Sequence, residues 1–159
     1  MDEDLQSYIY DHIPIVKNNL FTIEVAQSPY IEVKGRFADH INHRNSVFGG
    51  SLSTALILCS WATVRQILIT RGIENGVIVI QSQTVNFDKP VTGDFTACVA
   101  PIHEDRLRRF IAMLGKFGKA RLKMESFVTH EGSPEQPKRL ESPEPLARFV
   151  GDFVVLGSC

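Results

Sequence analysis

Net charge is nearly absent from this 159-residue chain: 17 Lys and Arg stand against 18 Asp and Glu, for a formal charge of −1. Without a global basic field there is nothing to gather nucleic acid or an anionic membrane, so neither is expected as a partner. Cysteine is scarce too. Cys59, Cys98 and Cys159 show no close pairing and no metal-type spacing, which argues against a disulfide framework and against a metal site. The start, Met1-Asp2-Glu3-Asp4, lacks the positive-then-apolar order of a secretory signal. The one long apolar stretch, Leu52–Ile69, is broken by Ser53, Thr54, Ser60, Thr63, Arg65 and Gln66, so it does not read as a membrane span. A reducing cytoplasm is the expected compartment, and the length and composition fit one domain over residues 1–159.

What is present is a clear alternation of patterns. Leu5, Ile9, His12 and Ile13 recur at helical spacing, and the Ile13-Pro14 step should end that short helix. Leu20–Ala26 and Ile31–Ala38 are β-rich runs split by Ser28-Pro29. In the second, Ile31, Val33 and Phe37 fall on one face and Glu32, Lys34 and Arg36 on the other, as in a hairpin with one wet side. Gly49–Arg71 spans about six helical turns, and its apolar residues cover most of the circumference, so this helix must be wrapped by other elements. The wrapping material follows. Val77–Phe87 and Phe95–Ile102 read as strands about a Lys89–Asp94 turn, Lys119–His130 alternates charged with apolar residues, and Ala147–Leu156 is a last strand. Asp105–Leu114 has the spacing of a short helix and Gly132–Pro145 reads as a loop.

The chemistry is expected where Asn42-His43-Arg44-Asn45-Ser46-Val47-Phe48-Gly49-Gly50-Ser51 runs into the core helix. Two glycines at a buried helix start leave backbone N–H groups and the positive end of the helix dipole free to hold a developing negative charge. Gly49 and Gly50 also suit a tight turn for purely conformational reasons. Asn42 can orient a water or a carbonyl, or bond its own loop. His43, and less so His40, is an imidazole able to act as general base near neutrality. Ser51, Ser53 and Thr54 can cap the helix, bond back to its carbonyls, or touch a ligand. On Val77–Phe87, alternation sets Ser82 and Asn86 on one face and Gln81 and Gln83 on the other, and only one set can line a pocket. Ser82 and Asn86 are carried as the candidates. A basic run, Arg106, Arg108, Arg109, Lys116 and Lys119, could meet phosphates but also fits a solvated face.

Asn42-His43, Phe48-Gly49-Gly50-Ser51-Leu52, Trp61, Pro90-Val91 in the hairpin and Ala147–Val154 together resemble the YiiD C-terminal type of thioesterase domain. The resemblance implies an α+β hotdog fold, an antiparallel sheet curled around one long central helix. It also implies acyl-thioester chemistry, with coenzyme A or acyl carrier protein entering as part of the substrate and no separate cofactor. A homodimer or dimer of dimers with sites between subunits follows from it as well. Laid on the hotdog thioesterase pattern, Asn42 and Gly49-Gly50 match, whereas the His position is Phe48 and the acidic position falls near Ile57. The implied function is hydrolysis of acyl-CoA or acyl-ACP, with the oxyanion at Gly49 and Gly50, Asn42 and His43 serving the water, and Phe48, Ser51, Ser53, Thr54, Ser82 and Asn86 contacting substrate. The alternative is a non-catalytic module that binds the same thioester. A dehydratase reading rests only on the Asp39-His40 pair.

Overall fold

The computed structural model describes residues 5–131 and 144–157. The acidic start, Cys159 and most of the Gly132–Pro145 loop lie outside the described residues.

Helix α1 covers Leu5–His12 and ends at the Ile13-Pro14 step as the sequence predicts, and Pro14 then opens a second short helix, α2 (Pro14–Asn18), with the proline in its first turn. A missing N–H costs nothing there. Ile9 of α1 is fully buried, and the Arg65 guanidinium packs 3.6 Å from the centre of the Tyr8 ring. α1 therefore lies across the core helix that carries Arg65.

Strands β1 (Thr22–Gln27) and β2 (Tyr30–Gly35) pair antiparallel across the Ser28-Pro29 step. Ile31, Val33 and Gly35 of β2 point inward and are buried. The strand stops short of Ala38, because Phe37–His40 winds into a single helical turn, α3. Phe37 gives its amide to the Asp94 carboxylate at 2.7 Å instead of to a strand, so it leaves the alternation predicted for it.

The core helix α4 spans Gly49–Thr70, with Leu52, Leu56, Leu58, Val64, Ile67 and Leu68 among its buried residues. By length and composition alone it could cross a membrane, yet here it packs on the sheet. Then come β3 (Val77–Phe87), β4 (Phe95–Val99), α5 (Glu104–Phe117), β5 (Lys119–His130) and β6 (Ala147–Leu156). The strands form one six-stranded antiparallel sheet in the order β1-β2-β4-β5-β6-β3. β5 keeps the predicted alternation, with Ala120, Leu122, Met124 and Val128 buried and the charged residues between them exposed. α5 is longer than Asp105–Leu114: the His103 side chain accepts from the Asp105 amide at its start, and Gly118 at φ 64° closes its end.

One connection departs from the sequence reading. β3 and β4 are not a hairpin, since β5 and β6 lie between them, and the 88–94 segment crosses from one side of the sheet to the other. Val91 is buried on the way, and its carbonyl accepts from the Val47 amide at 2.8 Å. That bond ties the crossing segment to the loop that precedes α4.

β3 is left at the sheet's edge, with Val77, Val79, Ile80 and Phe87 all exposed. Its pairing with β6 slips by one residue between Ile80 and Ser82, so Gln81 is the extra residue of a β-bulge.

Candidate active site

The loop before α4 is built around Asn42. Its Oδ1 accepts from the Arg44 amide at 2.7 Å and from the Ser46 amide at 3.3 Å, while Nδ2 donates to Ser46 Oγ at 3.1 Å. Side-chain bonds of this kind shape a turn. The backbone closes the same turn through the Asn42 amide on the Ser46 carbonyl at 2.8 Å. Asn42 thus builds the loop rather than reaching into open space. His43 stands exposed on the outside of it.

From this turn the chain enters α4 through Phe48, whose amide donates to the His40 carbonyl at 2.8 Å. Phe48 occupies the N-cap position and supplies no side-chain bond. Its carbonyl accepts from the Ser51 and Leu52 amides, at 3.0 and 3.2 Å. The amides of Gly49 and Gly50 are left without an acceptor among the described residues. They lie at the positive end of the helix dipole, half-buried, where a carbonyl oxygen acquiring charge is stabilised. Two exposed rings bracket them: a Cβ at Gly50 would collide with the Phe48 ring, and one at Gly49 would sit 3.4 Å from the ring of Phe87.

The hydroxyls in the first turns do not cap the helix. Thr54 bonds back to the Gly50 carbonyl at 2.9 Å, and Ser51 and Ser53 are half-buried. Ser53, Ile57 and Trp61 follow one another at i, i+4, i+8 as half-buried positions, and the Trp61 indole N–H donates to the Ile78 carbonyl of β3 at 3.4 Å. A stripe of α4 therefore runs along the edge strand.

Which β3 residues face that stripe is decided by the bulge. Inward residues of β6 are Phe149, Gly151, Phe153 and Val155. Their partners on β3 are Val85, Gln83, Ile80 and Ile78. Ser82 pairs with Asp152, with a 3.2 Å bond from its hydroxyl to that carboxylate, and Asn86 pairs with Arg148. Ser82 and Asn86 thus lie on the face turned away from α4, which corrects their placement as pocket residues of this protomer. Gln83 and Phe87 take their place. The extra residue at Gln81 inverts the alternation, so simple counting from the inward Ile78 and Ile80 reaches the wrong face.

His40 is seated in the core rather than in the crevice. Its ring is 5% exposed, stacked on Phe21 at 4.6 Å and edge-on to Phe95 at 5.5 Å. Burial pushes its pKa below the ordinary histidine value, with Asp39 opposing the shift, and Nε2 has no partner. It anchors the loop through its carbonyl bond to Phe48. Cys59 packs as a small buried group; desolvation pushes its thiol up to about 12, and it serves no nucleophilic role. Among the described residues no cluster of His, Cys, Asp or Glu could hold a metal ion.

Comparison with known proteins adds a family and a fold. A family model described as "Putative thioesterase (yiiD_Cterm)" matches residues 2–157. No curated protein matches the chain. Among solved structures, a protein of unknown function from Chlorobaculum tepidum is similar at a TM-score of 0.88 and 23% identity, covering 97% of this chain and 93% of that one. A "putative thioesterase" from Shewanella oneidensis gives a TM-score of 0.73 at 22% identity, with 96% and 94% covered. A protein of unknown function from Pseudomonas aeruginosa, described as a "probable thioesterase", gives 0.73 at 18%, with 97% and 94% covered. At these identities the likeness is one of fold, and it is the hotdog fold of a sheet around a central helix.

Proposed function

The chain belongs to the YiiD C-terminal thioesterase family, and from that membership we propose that it hydrolyses acyl thioesters carried on coenzyme A or acyl carrier protein. The observation that carries the proposal is the pair of unbonded amides, Gly49 and Gly50, at the mouth of the core helix. When water adds to the thioester carbon, a C–O bond forms and the carbonyl oxygen takes the negative charge. Donors already aimed at that oxygen stabilise the transition state more than the ground state. Collapse of the intermediate breaks the C–S bond. The thiolate needs little help from an acid, since an alkyl thiol ionises near a pH of about 8.5. In this reading His43 accepts the proton of the attacking water, Asn42 holds the loop in register, and Phe48, Ser51, Ser53, Thr54, Gln83 and Phe87 contact the substrate.

The same reading includes a homodimer. The edge strand β3 is 11 residues long and presents Val77, Val79, Ile80 and Phe87 to solvent. An unpaired edge of that length and character is ordinarily covered. Pairing with a second copy would put Phe87, and with it the Gly49 and Gly50 amides, close to the seam, where the partner can add groups to the site. Ser82 and Asn86 would contact substrate only through such an arrangement.

The second reading, a non-catalytic module that binds acyl thioesters, is favoured by Phe48 and Ile57, apolar where related enzymes carry ionisable groups, and by the engagement of Asn42 in its own turn. One pair of measurements decides. Mass spectrometry of small molecules retained by the purified protein, followed by free-thiol release over panels of acyl-CoA and acyl-ACP, gives turnover if the enzyme reading holds. Retention without thiol release selects the module, and neither retention nor release sinks both.

A further inference from the structure

A concentration of positive charge lies away from the helix mouth. β4 pairs with β5 only from Ser126 to His130, and α5 runs beside the part of β5 left beyond it. Between them opens a groove of about 410 Å³ with Phe110 and Met113 in its lining. Arg106, Arg109, Arg121 and Lys123 contribute its cations, and Asp152 is its one carboxylate. Asp152 lies opposite Lys123 across the β5–β6 pair, so four cations meet one carboxylate and the groove keeps a net positive charge. Asp152 is engaged by the Ser82 hydroxyl, Arg106 is spent on the Lys123 carbonyl at 2.6 Å, and Arg109 uses Nε on the Asp105 carbonyl at 3.3 Å. The side chains of Arg121 and Lys123 form no ion pair or hydrogen bond with the described residues.

Two cations on other faces are matched, Arg148 by its fork on Asp88 and Lys34 by Glu24. A concave cluster that stays unmatched focuses positive potential on whatever enters it. Guanidinium groups donate to phosphate oxygens two at a time, an apolar lining suits a flat heterocycle, and the volume is in the range of small-molecule sites. We propose that this groove binds a nucleoside phosphate, with the phosphoryl oxygens between Arg109, Arg121 and Lys123 and the base against the exposed Met113, above the buried Phe110.

The site is separate from the helix mouth. On β5, Val128 pairs with Ala147, which pairs with Phe87 beside Gly49, whereas Lys123 pairs with Asp152. From Val128 to Lys123 is five residues, roughly 17 Å along the strand, and Lys123 and Asp152 face away from α4. The nucleotide is therefore either a free ligand or the nucleotide end of a coenzyme A whose acyl end reaches the helix mouth of another protomer. Neither case depends on hydrolysis, because the probes below carry no thioester.

Isothermal titration of the full chain with ADP, with coenzyme A and with inorganic phosphate tests the proposal. ADP binding that weakens as salt rises is expected. Arg121→Glu and Arg109→Gln, both at exposed positions, should each weaken it about tenfold or more, as loss of a charge-assisted bond does. Coenzyme A that displaces ADP identifies the source as coenzyme A, and coenzyme A that does not identifies a free nucleotide. No binding of either at millimolar concentration overturns the proposal. So does wild-type affinity in both variants, or phosphate binding as tightly as ADP, which would leave the apolar lining without a role.

Discussion

Replacing Asn42 separates a residue that builds the loop from one that acts on substrate. Its carboxamide holds the loop through two backbone amides, at 2.7 and 3.3 Å, and one hydroxyl, at 3.1 Å. Net contributions of about 0.5–1.5 kcal/mol per bond, reduced for the longer one, put the cost of Asn42→Ala at about 1–4 kcal/mol. Asn42→Asp keeps both acceptor contacts to the Arg44 and Ser46 amides and loses only the Nδ2 donation, so it should cost roughly half as much. Turnover should follow the loop. A turn that no longer fixes Phe48 misaims the Gly49 and Gly50 amides, and about 1.4 kcal/mol of lost transition-state stabilisation is a tenfold fall in kcat. Urea denaturation at unchanged slope reports the stability, and thiol release from an acyl-CoA reports kcat. The expected order in both assays is wild type, then Asn42→Asp, then Asn42→Ala. If Asn42→Asp is as inactive as Asn42→Ala while both unfold at the wild-type midpoint, the amide group itself handles substrate or water and the loop-building account is wrong.

Three further outcomes are expected. Because folding holds the His40 imidazole below its ordinary pKa, the unfolded chain takes the proton first as pH falls. Stability is therefore full above about 6.5 and declines as the pH drops through that value toward the folded pKa; urea midpoints from pH 7.5 to 5 should show the decline, and His40→Phe should flatten it. Gly35→Ala drives a Cβ into the fully buried Phe95 ring and to 3.1 Å from His40 Cδ2, so a loss of about 1–3 kcal/mol from overpacking is expected in denaturant titrations. Val79→Lys places a charge on the exposed edge strand; under the proposed dimerisation through that edge, sedimentation at micromolar concentration should give a dimer for the wild type and monomers for the variant.

The strands and helices were legible because their patterns are strong and local. Gly49–Thr70, Val77–Phe87, Lys119–His130 and Ala147–Leu156 all formed within a residue of where periodicity put them. Partner choice was not local, and there the sequence misled: the Lys89–Asp94 segment carries turn residues, yet β5 and β6 lie between β3 and β4 in the sheet. The helix mouth was visible as glycines before an apolar run. Its polar wall was not, because a single extra residue at Gln81 leaves no mark in composition while moving Gln83, Val85 and Phe87 to the inner face. Nor could the sequence show that His40, one residue from an exposed aspartate, would be stacked on Phe21 and edge-on to Phe95.

α4 begins with Phe48 where a serine or aspartate would usually cover the first amides, and the bond such a side chain makes contributes about 1 kcal/mol to a helix. That stabilisation remains open to any acceptor arriving from outside. Occupancy and the integrity of the first helical turn are then thermodynamically linked: a docked carbonyl raises the melting temperature with its concentration. Amide hydrogen exchange at Gly49 and Gly50 would register the bound state whether or not the thioester is ever cleaved.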